Sequence, residues 1–597
     1  MNSTRVNLLL YIVQTPRRAV LILLLITSFI WLPTIRGTYF SLDTDWLVFS
    51  NPILQQPQLP LSAIFIDFSK GNRLTLGAEY LPIRDIFVWF ELFVFGQDAS
   101  FHHLSSFLLY LIIVVLMFRM TYQLFNQDTT KSFWVTLLFS IHNTHIESVA
   151  WLANKKDLLS LLFIFLAILC FQKYSKHKKI TSFIFIFLFG TLAYWSKNTA
   201  IALPPILIGW SLLQNRKIDI KLWILCLTIF SALLYLTMNV GKIVGMFAER
   251  RGENLWEMLL ITFDVWGKYF HNLLWPQNLS VFYVETPPHL SPHSLVGFIF
   301  FLGVCLFPVC TYLTQLNNKK QNHHIAIGCL WILFSLLPVS QITPIQNLQA
   351  DRYLLLPSIG FSIIIVEIYK IINIKRRFVP LLYLAAMISF TILNIQNWKT
   401  EEGIWKTCTE NQPKEPRCWV SLSTTKEKPV ESLQILEEAQ NHLGVTPHIL
   451  QAKGGIFYKI QDYEHASFLL QQAWKGDDNL RVAGNNLLQT YRMQGLHKEA
   501  LRIGMDLTSK HPDYPTGWNS LGTIYMDIQS LEEAKNCFLK SLELEPYALL
   551  PLLNLGNVAY LEKKYDIAIQ YWQQVLHIHP TTEHAKQGIE AARQHLQ

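Results

Sequence analysis

The chain has 597 residues, of which 51% are hydrophobic, 13% aromatic and only 15% charged, with a mean hydropathy of +0.25. Ordinary soluble domains carry about 25% charged residues, so the composition excludes a wholly soluble protein, and the length calls for several domains. The formal charge of +8 does not mark a nucleic-acid partner, because the basic residues sit between apolar runs instead of on one soluble face with aromatic platforms.

In chain order, apolar runs occupy 19–35, 103–122, 133–150, 158–172, 180–195, 199–214, 222–241, 295–315, 324–341, 353–371 and 378–395, each near the length a bilayer of about 30 Å requires. They predict about eleven membrane spans within a domain covering 1–396. The first run follows Arg17 and Arg18 and no small-residue cleavage site follows it, so it reads as an uncleaved helix. Basic residues gather in alternate short loops: Arg5, Arg17 and Arg18; Arg119 and Lys131; Lys173, Lys176, Lys178 and Lys179; Arg216, Lys217 and Lys221; Lys319 and Lys320; Lys370, Lys375, Arg376 and Arg377. The opposite short loops hold only Lys155, Lys156, Lys197 and Arg352. Positive loops stay cytoplasmic, which puts the N-terminus in the cytoplasm. An odd number of spans then puts everything after about 395 outside, in a bacterial periplasm, an extracellular space or an ER lumen.

Two long loops, 36–102 and 242–294, fall on the outer side, and stretches such as Ile83–Phe95 are amphipathic, as expected of segments that lie in the interface or cap a bundle. Ionisable residues collect at this boundary: Asp43, Asp45, Asp67, Arg84, His142, His145, Glu147, Lys156, Asp157, Lys197, Asp351 and Arg352. Such groups are expensive at membrane depth, so each is a site candidate. The bland reading for the cations, Lys155 above all, is interfacial snorkelling. His142, His145 and Glu147 are spaced as metal ligands sometimes are, but a hydrogen-bonding network is the commoner use of such a pair, and no metal is expected.

Residues 397–447 read as a linker with a degenerate helical repeat, and 448–597 repeat with a period of 34 residues. The clearest unit has Trp518, Leu521, Gly522, Tyr525, Ala534, Phe538 and Pro546; Leu555, Gly556, Ala568, Trp572 and Pro580 stand one period later. This matches the tetratricopeptide pattern, in which small residues let two helices approach while aromatics fill between them, and stacked pairs form a groove. The groove is expected to bind a protein through Trp518, Asn519, Tyr525 and Asn554. The eight cysteines show no zinc-ligand spacing, and Cys408 and Cys418 can pair if their region lies in an oxidising compartment.

Several outer segments, among them FSLDTDWLVFSN at 40–51, HNTHIESVAWLANKKD at 142–157, YWSKNTAIALP at 194–204, LLPVSQ at 336–341 and ADRYLLLPSIG at 350–360, together with the repeats, resemble the tetratricopeptide-containing transmembrane O-mannosyltransferases. That TMTC-like family, with bacterial relatives, lies in the C-type glycosyltransferase superfamily. The family's acidic pair and following Asn appear as Asp43, the displaced Asp45 and Asn51; its F-H as Phe101 and His102; its H-P-x-H-x-E-A-V as His142, Asn143, His145, Glu147, Ser148 and Val149; its A-[DE]-R-x-L-Y-L-P-S as Ala350, Asp351, Arg352, Leu354, Leu356, Pro357 and Ser358. Departures are Tyr80-Leu81-Pro82 in place of Y-R-P, with Arg84 further on, Asn143 in place of Pro, and Lys197-Asn198 in place of K-E.

The resemblance implies an all-α membrane bundle of the C-type glycosyltransferase fold followed by an α-solenoid. It also implies transfer of a sugar, mannose in the first instance, from a polyprenyl- or dolichyl-phosphate donor to a protein Ser or Thr hydroxyl at the outer face, with no other cofactor. Such transfer needs a base for the hydroxyl proton and cations for the departing phosphate. Asp43 is the expected base, with Asp45 and Glu147 beside it. Arg352, Lys197, Lys156, His145 and Arg84 are the expected phosphate partners, guanidinium and ammonium groups suiting an anion. Inversion at the anomeric carbon is implied by resemblance alone. Two other readings stand beside this one: a catalytically inactive membrane-anchored scaffold, which the missing Y-R-P arginine suits, and a transporter, for which the chain lacks the expected internal symmetry.

Overall fold

The computed structural model describes residues 14–38, 43–214, 220–245, 251–285, 288–316, 323–342, 344–372 and 378–597. Every regular element among them is a helix. Arg5, Arg216, Lys217, Lys319, Lys320, Lys375, Arg376 and Arg377, part of the charge-asymmetry argument, lie outside the described residues. The chain forms two compact units, Met1–Phe49 with Glu79–Thr407, and Ser50–Ala78 with Cys408–Gln597. Hydropathy alone put the division at 396 and left 50–78 in the first unit.

The first unit makes this a multi-pass membrane protein. Pro16–Arg36, Ala99–Leu124, Leu152–His177, Cys226–Val244, Pro292–Thr314 and Val379–Asn397 are long and apolar enough to cross a bilayer, and Ile180–Ser196, Asn198–Leu213 and His323–Val339 are shorter apolar helices. Local chemistry sets their ends. Pro16 stands in the first turn of the first helix, where its missing N–H is harmless. The Asp98 side chain accepts from Ser100 N at the start of Ala99–Leu124, and Asp128 accepts from Lys131 N at the start of Thr129–Ser140.

The apolar run at 133–150 is not one span. The helix ends at Ser140, a 3-10 turn follows at Asn143–His145 and a short helix at Ile146–Ala150. Polar side chains at 142–147 win hydrogen bonds from other helices here, which a continuous helix would have directed elsewhere.

The amphipathic stretch after Leu81 is the helix Pro82–Phe95, which buries Arg84, Asp85, Val88 and Glu91 and exposes Phe90, Phe93 and Val94. The second long loop contains the helix Leu255–Leu274. It lies against Pro292–Leu316 at glycines: a Cβ added at Gly267 would stand 1.9 Å from the carbonyl oxygen of His293, and one at Gly297 1.8 Å from that of Phe263. Backbones come this close only where side chains are absent.

In the second unit, helix pairs follow the 34-residue period: Pro447–Lys459 with Tyr463–Gly476, Arg481–Met493 with His497–Lys510, Pro515–Asp527 with Leu531–Leu544, and Leu549–Leu561 with Tyr565–Ile578, closed by Glu583–Leu596. Pro416–Thr424 and Pro429–Leu443 form the degenerate pair before them. A Cβ at Gly522 would stand 2.6 Å from the Phe538 ring and one at Gly556 2.3 Å from Trp572 Nε1, the close approach expected of the signature glycines. Cys408 and Cys418 are joined in a disulfide, their Cα atoms 5.4 Å apart.

Candidate functional site

The segment His142–Asp157 is built from buried polar residues held by distant helices. His142 Nε2 lies 2.9 Å from the Leu273 carbonyl oxygen and Nδ1 2.8 Å from Thr144 Oγ1. Asn143 donates to the Pro276 carbonyl at 2.7 Å. His145 sits between the Tyr110 hydroxyl, 2.8 Å from Nδ1, and Ser358 Oγ, 2.9 Å from Nε2. All four ring nitrogens of the pair are thus engaged in a hydrogen-bonding network.

Two residues beyond His145, Glu147 is buried and its Oε2 accepts from Arg352 Nη1 at 3.0 Å and Arg352 N at 3.3 Å. Its Oε1 is buried and has no hydrogen-bond partner among the described residues. The Arg352 guanidinium stands over the rings of Trp151, at 5.4 Å, and Tyr353, at 5.1 Å. Lys197 pairs with Asp157 and lies 5.5 Å from the Tyr353 ring. One tyrosine thus faces two cations, and ring faces hold cations most strongly where water is excluded. Arg352, Lys197, Asp157 and Tyr353 line a common cavity of about 20 Å³ with Thr199 and Ser335, room for about one water.

Asp351, behind Arg352, accepts from the Tyr283 hydroxyl at 2.8 Å, from Asn272 Nδ2 at 3.1 Å and from Ser280 N at 3.1 Å. These bonds bring the second long loop against the Ala350–Arg352 turn. Arg251 braces the chain leading into that turn, donating to Gln341 Oε1 at 3.0 Å and to the carbonyls of Ile345 and Gln346 at 2.7 Å.

Burial, with the charge of Glu147 adding to it, pushes the Asp351 carboxyl up to about 8. A carboxyl raised above its unfolded value contributes stability that is complete below the unfolded pKa of about 4 and is lost as pH rises through the folded one. Thermal stability of the membrane unit is therefore expected to fall steadily between about pH 5 and about pH 8 and to level off above that, and Asp351→Asn to flatten that slope. A variant with the wild-type slope would refute the assignment of this titration to Asp351. Glu79 does not interfere in this window: burial opposes its ionisation, but Lys156 and Arg84 draw it down to about 2, and stability from a lowered carboxyl is constant above about pH 5.

Lys156 pairs with Glu79, and Arg84 lies 3.8 Å from Glu79 and 2.6 Å from Asp85. Glu79 also feels the charge of Lys197, so the two cation groups share one field. Lys155 does not snorkel. Its ammonium is buried, 2.6 and 2.7 Å from the two Glu91 oxygens and 3.0 Å from the His102 carbonyl, which fastens the Pro82–Phe95 helix to the start of Lys155–His177.

Asp43 and Asp45 are exposed at the turn that opens Asp45–Phe49, where the Asp43 carbonyl accepts from Leu47 N at 3.1 Å. Neither lines the cavity of Arg352 and Lys197. Asn51 belongs to the second unit, where its Oδ1 accepts from Ile53 N and Leu54 N, both at 3.1 Å, and its Nδ2 donates to the Thr75 carbonyl at 2.7 Å.

In the repeats, Trp518 Nε1 donates to the Pro512 carbonyl at 3.0 Å and Asn554 Nδ2 to Asn519 Oδ1 at 3.0 Å, while Tyr525 packs on the Ala534 and Phe538 core. The four predicted acceptor residues are tied into the scaffold. The larger hollow beside them, of about 820 Å³, is lined by Asn557, Tyr560, Trp572 and His584. Sequence reasoning missed Asn557, which lies three residues after Asn554 on the same helix; that spacing is the signal that could have found it. Sequence reasoning also missed Tyr353, Trp151 and Glu79; the first two adjoin quoted motifs, whereas nothing local marks Glu79.

Residues 82–239 match the family described as Dolichyl-phosphate-mannose-protein mannosyltransferase, and 515–547 match the Tetratricopeptide repeat. Protein O-mannosyl-transferase F38B6.6 of Caenorhabditis elegans is 23% identical over 410 residues, covering 65% of this chain and 57% of that protein. Protein O-mannosyl-transferase TMTC1 of Homo sapiens is 22% identical over 391 residues, covering 55% and 43%. The chain spans about half the length of these curated relatives. Among solved structures, YrrB, a TPR protein with an unusual peptide-binding site, aligns with a TM-score of 0.26 and 13% identity, over 31% of this chain and 97% of its own.

Proposed function

We propose that this chain, a member of the TMTC-like family of tetratricopeptide-containing membrane mannosyltransferases, moves mannose from a polyprenyl or dolichyl phosphate to a Ser or Thr hydroxyl of a protein. The observation that carries the proposal is the convergence of Arg352 and Lys197 on one cavity and one aromatic face, with the Lys156 and Arg84 group in the same field. Each cation is held by a carboxylate, so the cluster is preorganised, and a donor phosphate would exchange with Glu147 and Asp157 for the same charges.

In the reaction, the acceptor oxygen bonds to the anomeric carbon as the bond from that carbon to the phosphate oxygen breaks. The hydroxyl proton passes to Asp43, with Asp45 or Glu147 in reserve, and the lipid phosphate leaves with its charge neutralised by Arg352, Lys197 and Lys156. The repeats present the protein acceptor. We place this face of the membrane outside the cytoplasm: the basic residues of the opposite loops favour it, and a disulfide between Cys408 and Cys418 suits an oxidising compartment.

The cavity of about 20 Å³ is too small for a sugar phosphate, and this favours the scaffold reading. One assay separates the two. Purified wild type is expected to transfer labelled mannose from polyprenyl-phosphate mannose to a hydroxyl-bearing peptide, and Asp43→Asn to lose about 10²- to 10⁴-fold, the usual contribution of a positioned base. Equal turnover by both proteins would remove Asp43 from the mechanism. No turnover by either would leave the scaffold.

A further inference from the structure

Residues 50–78 lie between membrane-unit segments in the chain, yet they form one compact unit with the repeats. The loop is knit by its own side chains. Asn51 reaches Thr75 and so ties its ends, Asn72 Nδ2 donates to the carbonyls of Ala63 and Asp67 at 2.8 and 2.9 Å, and the buried Arg73 donates to the Ala63 carbonyl. The result is a self-bonded segment carrying two short helices, Leu61–Phe65 and Lys70–Thr75.

Its point of approach to the repeats is Gly71. A Cβ there would stand 2.0 Å from Cδ and 2.4 Å from Cγ of Pro546, and Asp67 acts electrostatically on Tyr547. Pro546 and Tyr547 end the repeat that spans 515–547 and lead into the next helix, Leu549–Leu561. The glycine is required by proximity: a side chain at 71 has nowhere to go but into the proline ring.

The chain enters this loop shortly after Asp43 and Asp45 and leaves it at Glu79, the partner of Lys156 and Arg84. Both groups are therefore joined covalently to the ends of the loop that meets the repeats at Pro546. We infer that 50–78 is a specificity-determining adaptor, docked on the repeats at Gly71 and Pro546, through which a protein acceptor seated on the solenoid is brought into register with the outer-face carboxylates. The activity part of this inference rests on the proposed transferase reading; the docking part does not.

The test uses the full-length protein in nanodiscs and approaches the contact from both sides, because Gly71→Leu also strains the loop itself. Amide exchange in 547–552 is expected to rise about threefold or more in Gly71→Leu, and exchange in 68–77 to rise likewise in Pro546→Ala, as local opening loses its support. In Pro546→Ala, transfer of mannose to a folded protein acceptor is expected to fall about fivefold relative to transfer to a short peptide, within the usual range of coupling between sites, with peptide turnover unchanged. Unaltered exchange in both segments overturns the docking. Altered exchange with an unaltered ratio of protein to peptide transfer overturns the adaptor role. Absence of transfer by wild type to either acceptor overturns that role along with the transferase reading, while the exchange result still decides the docking.

Discussion

Arg352→Ala is expected to abolish mannose transfer and to destabilise the membrane unit in the same stroke. Arg352 supplies the side-chain charge that compensates the buried Glu147, and removing one partner of a buried pair typically costs about 3–5 kcal/mol because the other is left uncompensated. The two losses have different origins and can be pulled apart. Adding Glu147→Gln to Arg352→Ala removes the orphaned charge, so most of the thermal stability should return. Transfer should not, since no guanidinium faces the phosphate. Arg352→Lys should keep part of the stability and little of the activity, because a compact ammonium cannot reproduce the guanidinium's contacts with the Trp151 and Tyr353 rings and with Glu147 together. Thermal unfolding and turnover measured on the same preparations check this. Recovery of transfer in the double variant would show that Arg352 only balances Glu147.

Gly267→Val is expected to prevent the membrane unit from assembling. The added carbon would begin 1.9 Å from the His293 carbonyl oxygen, and the obstacle is backbone, which cannot rotate out of the way. Overpacking against movable side chains costs about 1–3 kcal/mol; here the two helices must separate. The separation would carry Asn272, on the same helix, away from Asp351 and loosen the turn that presents Arg352. Size-exclusion profile and unfolding temperature are the readouts, and a monodisperse variant with the wild-type melting temperature would show that the crossing is not needed. The reciprocal glycine, Gly297, whose built Cβ lies 2.6 Å from Gly267 N, should behave alike.

What the sequence disclosed follows from the range over which each interaction acts. The Pro82–Phe95 helix and the repeats were legible because apolar spacing and small-residue positions are local properties. The pairing of Glu147 with Arg352 spans 205 positions; the motifs nominated both residues, but nothing in their spacing joined them. Lys155 was read as an interfacial cation because its partner Glu91 lies 64 positions away, on the face of an amphipathic helix that looked merely polar. The run at 133–150 was read as a span because hydropathy averages over Asn143 and His145, whose hydrogen bonds break the helix. The association of 50–78 with the repeats was invisible for the same reason: a glycine in a loop carries no mark of the proline it will meet. Asp43 and Asp45 remain a reading by resemblance, standing exposed beside the first span.

The most direct test of the account is the donor. Purified protein in nanodiscs, given a hydroxyl-bearing acceptor and either labelled polyprenyl-phosphate mannose or labelled nucleotide-linked mannose, should pass the label to the acceptor from the lipid phosphate alone and release polyprenyl phosphate in equal amount. Label arriving from the nucleotide sugar without any lipid intermediate, or from neither donor, would contradict the assignment of Arg352 and Lys197 to a lipid phosphate.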